Sequence, residues 1–177
     1  MKNNFGQVHV YTGDGHGKTT VSLGVAMRAV GHGYKVCMIQ FLKGNDKTGE
    51  FLIQDKLKPD FIIHQFGNKS FIIDKNYSKD DIKKAREGLK FAKSIIKSNQ
   101  CHILILDEIN VAVDFGLIEV KIITDFINNY RNNGVEIILT GRNAPEEIIK
   151  TADIVTEMKK VKHYYDSGLP ARKGIEY

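Results

Sequence analysis

An apolar strand followed by a glycine-rich turn and a helix restricts the fold of this chain more than any other feature. The turn reads YTGDGHGKTT over residues 11–20, and its ending matches the phosphate-loop pattern G-x-x-x-x-G-K-[ST] from Gly17 onward. The first glycine of that pattern falls on Thr12, and Gly13 comes one residue late. Because the turn joins a strand to a helix, we predict a variant phosphate loop in a nucleotide-binding α/β fold.

Short apolar runs alternate with amphipathic runs along the rest of the chain. The predicted strands are 7–12, 35–41, 61–66, 102–107, 135–140 and 153–158, and the predicted helices are 19–30, 79–98 capped by Ser78, and 119–132. This alternation predicts a P-loop fold with a mainly parallel sheet and helices on both faces. The length of 177 residues suits a single ATP-binding domain, 1–177.

Composition excludes several classes of protein. The net charge is only +5, and the basic residues form no run of five or more, so we expect no nucleic-acid partner. The N-terminus lacks the apolar core of a signal peptide, and no apolar run is long enough to cross a membrane, so we expect a cytoplasmic protein without membrane contact. Cys37 and Cys101 lie in apolar runs and are expected to be buried free thiols, and no zinc site is expected.

The glycine loop carries the chemistry of phosphate binding. Its glycines permit close approach of the backbone to a ligand, and its N–H groups form an anion site at the start of a helix. Lys18 would reach phosphate oxygens, Thr19 would offer its hydroxyl to Mg²⁺ and Thr20 would assist. Arg28 either turns toward the phosphates or forms a surface ion pair. The predicted ATP-binding residues are Gly13, Asp14, Gly15, His16, Gly17, Lys18, Thr19, Thr20 and Arg28.

An acidic pair, Asp107 and Glu108, ends the apolar run HILILDE. Carboxylates at the end of a strand beside a phosphate loop are suited to bind Mg²⁺, although the pair could instead cap the next segment. Arg142, after the fifth predicted strand, is a candidate phosphate or dimer contact. From these residues alone, the predicted function is a Mg-dependent ATPase or small-molecule kinase, with a regulatory nucleotide-binding module as a further alternative.

The chain also resembles a known family over nearly its whole length. It is similar to the ATP:corrinoid adenosyltransferases of cobalamin synthesis and salvage, through the motifs YTGDGHGKTT, RAVGHG, IQFLKG, ILDEIN, LTGRNAPEEII, ADIVTEM and GLPARKGIEY. The resemblance implies that a cobalt(I) corrinoid attacks the 5′ carbon of ATP and that triphosphate leaves. It implies catalytic roles for Lys18 and Glu108, and Mg²⁺ (or Mn²⁺) held near Thr19, Glu108 and Asp107. It also implies a homodimer and an electron donor such as reduced flavodoxin.

A corrinoid-binding loop follows from the same resemblance. The family pattern G-x-G-F-x-W maps best onto residues 67–73, where Phe71 matches the phenylalanine and Ile73 stands in place of tryptophan. Phe71 and Ile73 are therefore the predicted corrinoid-binding residues. Longer family members carry an N-terminal helix that helps to cover the corrinoid, whereas this chain begins almost at its first strand. We therefore expect either a partner subunit over the site or a more exposed corrinoid.

Overall fold

A six-stranded, fully parallel sheet forms the centre of the protein in a computed structural model, which describes residues 5–69 and 76–177. The strands are β1 (Val8–Thr12), β2 (Val36–Phe41), β3 (Phe61–Phe66), β4 (Ile103–Asp107), β5 (Glu136–Thr140) and β6 (Ile154–Glu157). Their order across the sheet is β3-β2-β4-β5-β1-β6. The predicted α/β class and all six predicted strands are confirmed, and each strand end lies within one residue of its prediction.

Six α-helices connect the strands in the described part of the chain, and one short 3₁₀-helix follows β6. They are α1 (Lys18–Gly31), α2 (Gly49–Leu57), α3 (Lys79–Lys97), α4 (Ile109–Asp114), α5 (Val120–Tyr130), α6 (Glu146–Thr151) and the 3₁₀-helix Tyr164–Ser167. The three predicted helices correspond to α1, α3 and α5, whereas α2, α4 and α6 were not predicted. Within residues 5–69 and 76–177, no helix combines the length and apolar character that crossing a membrane requires.

Helix α3 shows why its sequence was informative. The Ser78 hydroxyl accepts a hydrogen bond from the backbone N–H of Asp81, and the Asp81 carboxylate accepts one from the backbone N–H of Ser78. This reciprocal capping satisfies two N–H groups that the first helical turn leaves free. The apolar positions spaced by three and four residues are buried as one stripe, namely Ala85, Leu89, Ala92, Ile95 and Ile96.

The sheet has a hydrophobic core on each face. Helices α3 to α6 pack on one face, where Leu89, Phe126 and Ile148 are almost fully buried. Helices α1 and α2 cover the other face, which contains Met38 and Phe61. Both faces of the central strands are therefore apolar, as expected for a parallel sheet between two layers of helices. The two cysteines are free and buried, as predicted.

Candidate active site

One open cavity of about 820 Å³ lies beyond the carboxyl ends of the strands. Its polar part is formed by the segments that follow four neighbouring strands: residues 14–20 after β1, 42–43 after β2, 108 after β4 and 142–143 after β5. Helices α1 and α2 contribute apolar side chains, among them Met27 and Ile53. Ligands of parallel α/β sheets bind in this position, because the loops at the carboxyl ends converge there.

The glycine loop packs tightly against the end of β6. The backbone N–H of Gly15 donates a hydrogen bond of 2.6 Å to the carbonyl oxygen of Met158. A Cβ atom at Gly13 would lie 2.5 Å from that oxygen, and one at Gly15 would lie 2.7 Å from it. Gly13 also has a φ of 93°, which other residues rarely adopt. Position 13 therefore requires glycine. Any side chain would clash with the Met158 carbonyl just after β6, and the positive φ is unfavourable for other residues.

Lys18 is held inside the loop. Its ammonium donates hydrogen bonds to the carbonyl oxygens of Gly13, at 2.8 Å, and Gly15, at 2.6 Å. Burial lowers the pKa of Lys18, while the nearby carboxylate of Glu108 opposes this shift. The loop thus fixes the position of a cation at the cavity through its own carbonyl oxygens.

Asp107 is the centre of a buried polar network. Its Oδ1 atom accepts hydrogen bonds from the hydroxyls of Thr19, at 2.8 Å, and Thr140, at 2.6 Å. Its Oδ2 atom accepts from the Lys43 ammonium at 2.8 Å and from the Gln40 amide at 3.2 Å. An ionised carboxylate has about four acceptor positions, so these four donors saturate Asp107.

The charges of Asp107 and Lys43 stabilise each other. Burial by itself would raise the pKa of Asp107, but the charge of Lys43 and the hydrogen bonds from Thr140 and Thr19 lower it. Burial by itself would lower the pKa of Lys43, but the carboxylates of Asp107 and Glu108 raise it. The pair is therefore ionised. Lys43 lines the cavity, and Asp107 is fully buried behind it.

Glu108 also lines the cavity, but its carboxylate is in a different electrostatic environment from that of Asp107. It adopts a left-handed conformation, with φ 62°, and its backbone N–H donates to the Thr140 hydroxyl at 3.0 Å. Glu108 stands at the N-terminal cap position of α4, but its side chain makes no capping hydrogen bond. Burial, and then the charge of Asp107, raise the pKa of Glu108. A divalent cation would relieve the cost of ionising this carboxylate.

The donor set fits Mg²⁺ bound together with phosphates. In residues 5–69 and 76–177, no three His, Cys, Asp or Glu side chains are grouped so as to hold a metal ion. The cavity instead offers the hydroxyl of Thr19 and the carboxylate of Glu108. Mg²⁺ commonly takes one or two protein carboxylates and completes its shell with water and substrate phosphates, which matches these groups.

Most of the predicted ATP-binding residues line the cavity. They are Asp14, Gly15, His16, Gly17, Lys18, Thr19 and Thr20. Gly13 lies behind them as an acceptor for Lys18. Asp14 is exposed and accepts a hydrogen bond from the backbone N–H of Lys160. The side chain of His16 is exposed at the cavity edge, as expected for a residue that contributes its backbone to the loop. Their roles in binding ATP stay predictions.

The two predicted arginines differ in their position relative to the cavity. Arg142 lines the cavity and is exposed, and its charge acts on both Lys18 and Glu108. Arg28 is exposed near the end of α1 and is not part of the cavity lining, although its charge reaches Tyr11. The predicted corrinoid contacts, Phe71 and Ile73, lie outside the described residues.

The structure adds site residues that the sequence analysis had not identified. Lys43, Gln40 and Thr140 complete the network around Asp107. Each stands at or just after the carboxyl end of β2 or β5, which are the neighbours of β4. Gln40 and Lys43 lie in the motif IQFLKG, to which the sequence analysis assigned no role. The sequence signal for Lys43 is its position just after the apolar strand β2.

The last residues of the chain form another wall of the cavity. Residues 174–177 line it, and Ile175 and Tyr177 are 63% and 44% exposed. Arg172 anchors this segment through contacts of its backbone N–H and guanidinium with the Glu176 carboxylate. The hydrogen bonds from Arg172 and Tyr164 lower the pKa of Glu176 to about 2. The segment therefore presents apolar side chains from an ordered turn.

Known proteins resemble this chain over almost all of its length. A family profile described as ATP:corrinoid adenosyltransferase BtuR/CobO/CobP matches residues 4–177. A corrinoid adenosyltransferase from Sinorhizobium sp is 33% identical over 97% of this chain and 80% of that protein. One from Escherichia coli strain K12 is 34% identical over 97% of this chain and 86% of its own length. The corrinoid adenosyltransferase CobA of Salmonella typhimurium is 31% identical with the same coverage as the Escherichia coli protein.

Proposed function

The chain belongs to the ATP:corrinoid adenosyltransferase family, and from this premise we propose how its cavity performs the reaction. Its function is the ATP-dependent transfer of an adenosyl group to a corrinoid. In our proposal the 5′-deoxyadenosyl group passes to cobalt(I) and the whole triphosphate leaves. The observation that carries the assignment of the site is the convergence of Lys18, Thr19 and Glu108 on one cavity.

The glycine loop would hold the triphosphate. The backbone N–H groups of residues 13–18 and the Lys18 ammonium are the groups suited to bind its oxygens. Lys18 would exchange the carbonyl oxygens of Gly13 and Gly15 for phosphate oxygens, which carry a full negative charge. Preorganised donors of this kind stabilise charge that grows on a leaving group, and this effect is often the largest contribution to catalysis.

Thr19 and Glu108 would be the protein ligands of Mg²⁺ or Mn²⁺. When bound, the ion supplies positive charge beside the departing phosphates. Asp107 would act through Thr19, because its four acceptor positions are already filled. The hydroxyl proton of Thr19 points to Asp107, which leaves the oxygen lone pairs of Thr19 free to face a cation.

The chemical step would need no general base from the protein. The cobalt(I) of the corrinoid substrate donates its electron pair to the 5′ carbon as the carbon–oxygen bond breaks, and that bond's electrons leave with triphosphate. The protein would align the two substrates and stabilise the leaving group. Phe71 and Ile73 stay predicted contacts of the corrinoid, and Arg142 is proposed to contact phosphate or a second subunit.

The cellular setting is also a proposal, and it is supported by family membership. Forming cobalt(I) requires an electron donor, for which reduced flavodoxin is the proposed partner. We propose a cytoplasmic homodimer in which residues 1–177 form one ATP-binding domain in each subunit. Hydrolysis of ATP or transfer of its γ-phosphate, the alternative drawn from the acidic pair, is not favoured by the family assignment.

An anaerobic assay tests the proposed reaction. The protein is mixed with Mg·ATP and chemically reduced cob(I)alamin, and the visible spectrum is followed with and without light. The expected result is a photolabile adenosylated corrinoid that forms only when protein and ATP are both present. An unchanged corrinoid spectrum with accumulation of ADP would contradict the proposal and return the site to a hydrolase.

A further inference from the structure

We propose that Lys43 is a second phosphate-binding lysine of this site, anchored on Asp107 and distinct from the loop lysine Lys18. The inference rests on the proposed function, in that the triphosphate of ATP occupies the polar part of the cavity. Lys43 belongs to neither the glycine loop nor the LTGR segment, so it would be a further cation at the phosphate-binding part of the cavity.

The position of Lys43 supports this role. The residue follows β2, which lies beside β4 in the sheet, so its side chain reaches the acidic pair from the neighbouring strand. Lys43 lines the same cavity as Lys18, Thr19 and Glu108. Its side chain is 25% exposed, while that of Asp107 is fully buried. The ammonium therefore lies between the buried carboxylate and the open space where a ligand would bind.

The hydrogen-bonding capacity of Lys43 is only partly used. A lysine ammonium has three N–H donors. Within residues 5–69 and 76–177, Asp107 accepts the only hydrogen bond that Lys43 donates, at 2.8 Å. Since Asp107 takes one donor and the side chain borders the cavity, the remaining donors are available to an anion. Phosphate oxygens are strong acceptors for such charged donors.

The charges near Lys43 favour a role in binding an anion. Asp107, Glu108 and Glu50 all act electrostatically on Lys43, so three carboxylates lie near its ammonium. A triphosphate placed beside them would be repelled unless cations stand between. The contact of 2.8 Å with the buried carboxylate of Asp107 restricts the position of the Lys43 ammonium. By contrast, both side chains of the Lys58–Asp55 pair are exposed and less restricted. Preorganisation of this kind reduces the entropy lost when the ligand binds.

Titration calorimetry with Mg·tripolyphosphate tests the inference without a turnover assay. The proteins compared are the wild type, Lys43→Met, Lys43→Arg and the control Lys56→Met, which removes an exposed lysine of α2 outside the cavity. We expect Lys43→Met to weaken binding roughly tenfold to a hundredfold, the range for losing a hydrogen bond to a charged group. Lys43→Arg should recover much of the affinity, and Lys56→Met should match the wild type.

A second background separates ligand binding from folding. Lys43→Met leaves the buried Asp107 carboxylate without its cation, which destabilises the protein. The same substitution is therefore also made in Asp107→Asn, where no buried charge is left unpaired. A loss of tripolyphosphate affinity in both backgrounds supports the inference.

Two outcomes would overturn it, and they differ. If the wild type binds Mg·tripolyphosphate and Lys43→Met only lowers the melting temperature of the free protein without changing affinity, Lys43 is a structural partner of Asp107 alone. If the wild type itself does not bind Mg·tripolyphosphate, the proposed location of the triphosphate fails, and the inference about Lys43 fails with it.

Discussion

The hydroxyl of Thr19 donates a hydrogen bond of 2.8 Å to Oδ1 of Asp107, and this contact joins the glycine loop to the acidic pair. Thr140 donates to the same oxygen at 2.6 Å, which adds the end of β5 to the network. The three residues stand at the carboxyl ends of separate strands or in the first turn of α1. The polar wall of the cavity is therefore held in place by hydrogen bonds among the protein's own side chains, which is the preorganisation that electrostatic catalysis requires.

Replacing Lys18 with methionine should remove a cation that acts on the leaving triphosphate. We expect kcat/KM for ATP to fall by about 10²-fold to 10³-fold, as for the loss of one preorganised donor. Steady-state adenosyl transfer under anaerobic conditions measures the effect. Lys97→Met, at the exposed end of α3, is the control and should keep the wild-type rate. Equal rates for both variants would show that Lys18 does not contact the departing phosphates.

Glu108→Gln should separate activity from stability. Folding raises the pKa of Glu108 above its usual 4.5. The protonated carboxyl therefore contributes fully to stability below about pH 4.5, and this contribution is lost as pH rises through the pKa of the folded protein. Glutamine avoids the buried charge, so without ligand the variant should melt at a higher temperature than the wild type at about pH 8, and the difference should vanish at about pH 4.

The same substitution should reduce the stabilisation by Mg·ATP, since an amide is a poor substitute for a carboxylate ligand. Calorimetric melting curves with and without Mg·ATP, at both pH values, measure the two effects. A variant that is less stable than the wild type at alkaline pH would contradict the assigned environment of Glu108. A variant that keeps the full shift with Mg·ATP would contradict its role as a metal ligand.

Asp107→Ala should be strongly destabilising. The substitution leaves Lys43 and the hydroxyls of Thr19 and Thr140 without their acceptor, and breaking a buried ion pair in this way costs about 3–5 kcal/mol. Urea unfolding monitored by circular dichroism measures the change in free energy of unfolding. The matched control is Asp55→Ala, which breaks an exposed Lys–Asp pair of the same 2.8 Å length and should cost less than about 1 kcal/mol. Similar costs for the two variants would contradict the buried network.

The wall formed by residues 174–177 should affect substrate binding more than stability. Ile175 and Tyr177 are exposed, so replacing both with alanine should leave the melting temperature nearly unchanged. If a substrate covers on the order of 60 Å² of their apolar surface, the loss corresponds to about 1.5 kcal/mol, or roughly a tenfold increase in KM. Leu169→Ala, outside the cavity, is the control. Unchanged KM values for ATP and corrinoid would remove this segment from the site.

The elements that could be predicted from sequence are those with strong local signals. The central strands stood out because both faces are apolar, and α3 stood out because of its Ser78 cap and its buried stripe. Helix α2 begins at a glycine, its cap residue Thr48 makes no side-chain capping bond, and Leu52 and Ile53 are exposed, so it lacked those signals. Helix α6 has six residues, too few to show a helical period.

The site was predicted only where a motif lay within one segment. Residues 13–20 and the acidic pair are continuous in sequence, so their chemistry was visible. Lys43 lies in the motif IQFLKG, but its role in the site depends on β2 lying beside β4. Alternation of helices and strands does not specify that strand order. Residues 174–177 reach the cavity through tertiary folding of the chain end, for which the sequence carries no periodic signal.

The most direct test of the account is to identify the phosphorus product of one turnover. The protein is incubated anaerobically with Mg·ATP and cob(I)alamin, and the products are resolved by phosphorus NMR spectroscopy while the adenosylated corrinoid is quantified by absorbance. The account predicts inorganic triphosphate in an amount equal to the adenosylated corrinoid. ADP with phosphate, and no cobalt–carbon bond, would contradict a cavity built to hold a departing triphosphate.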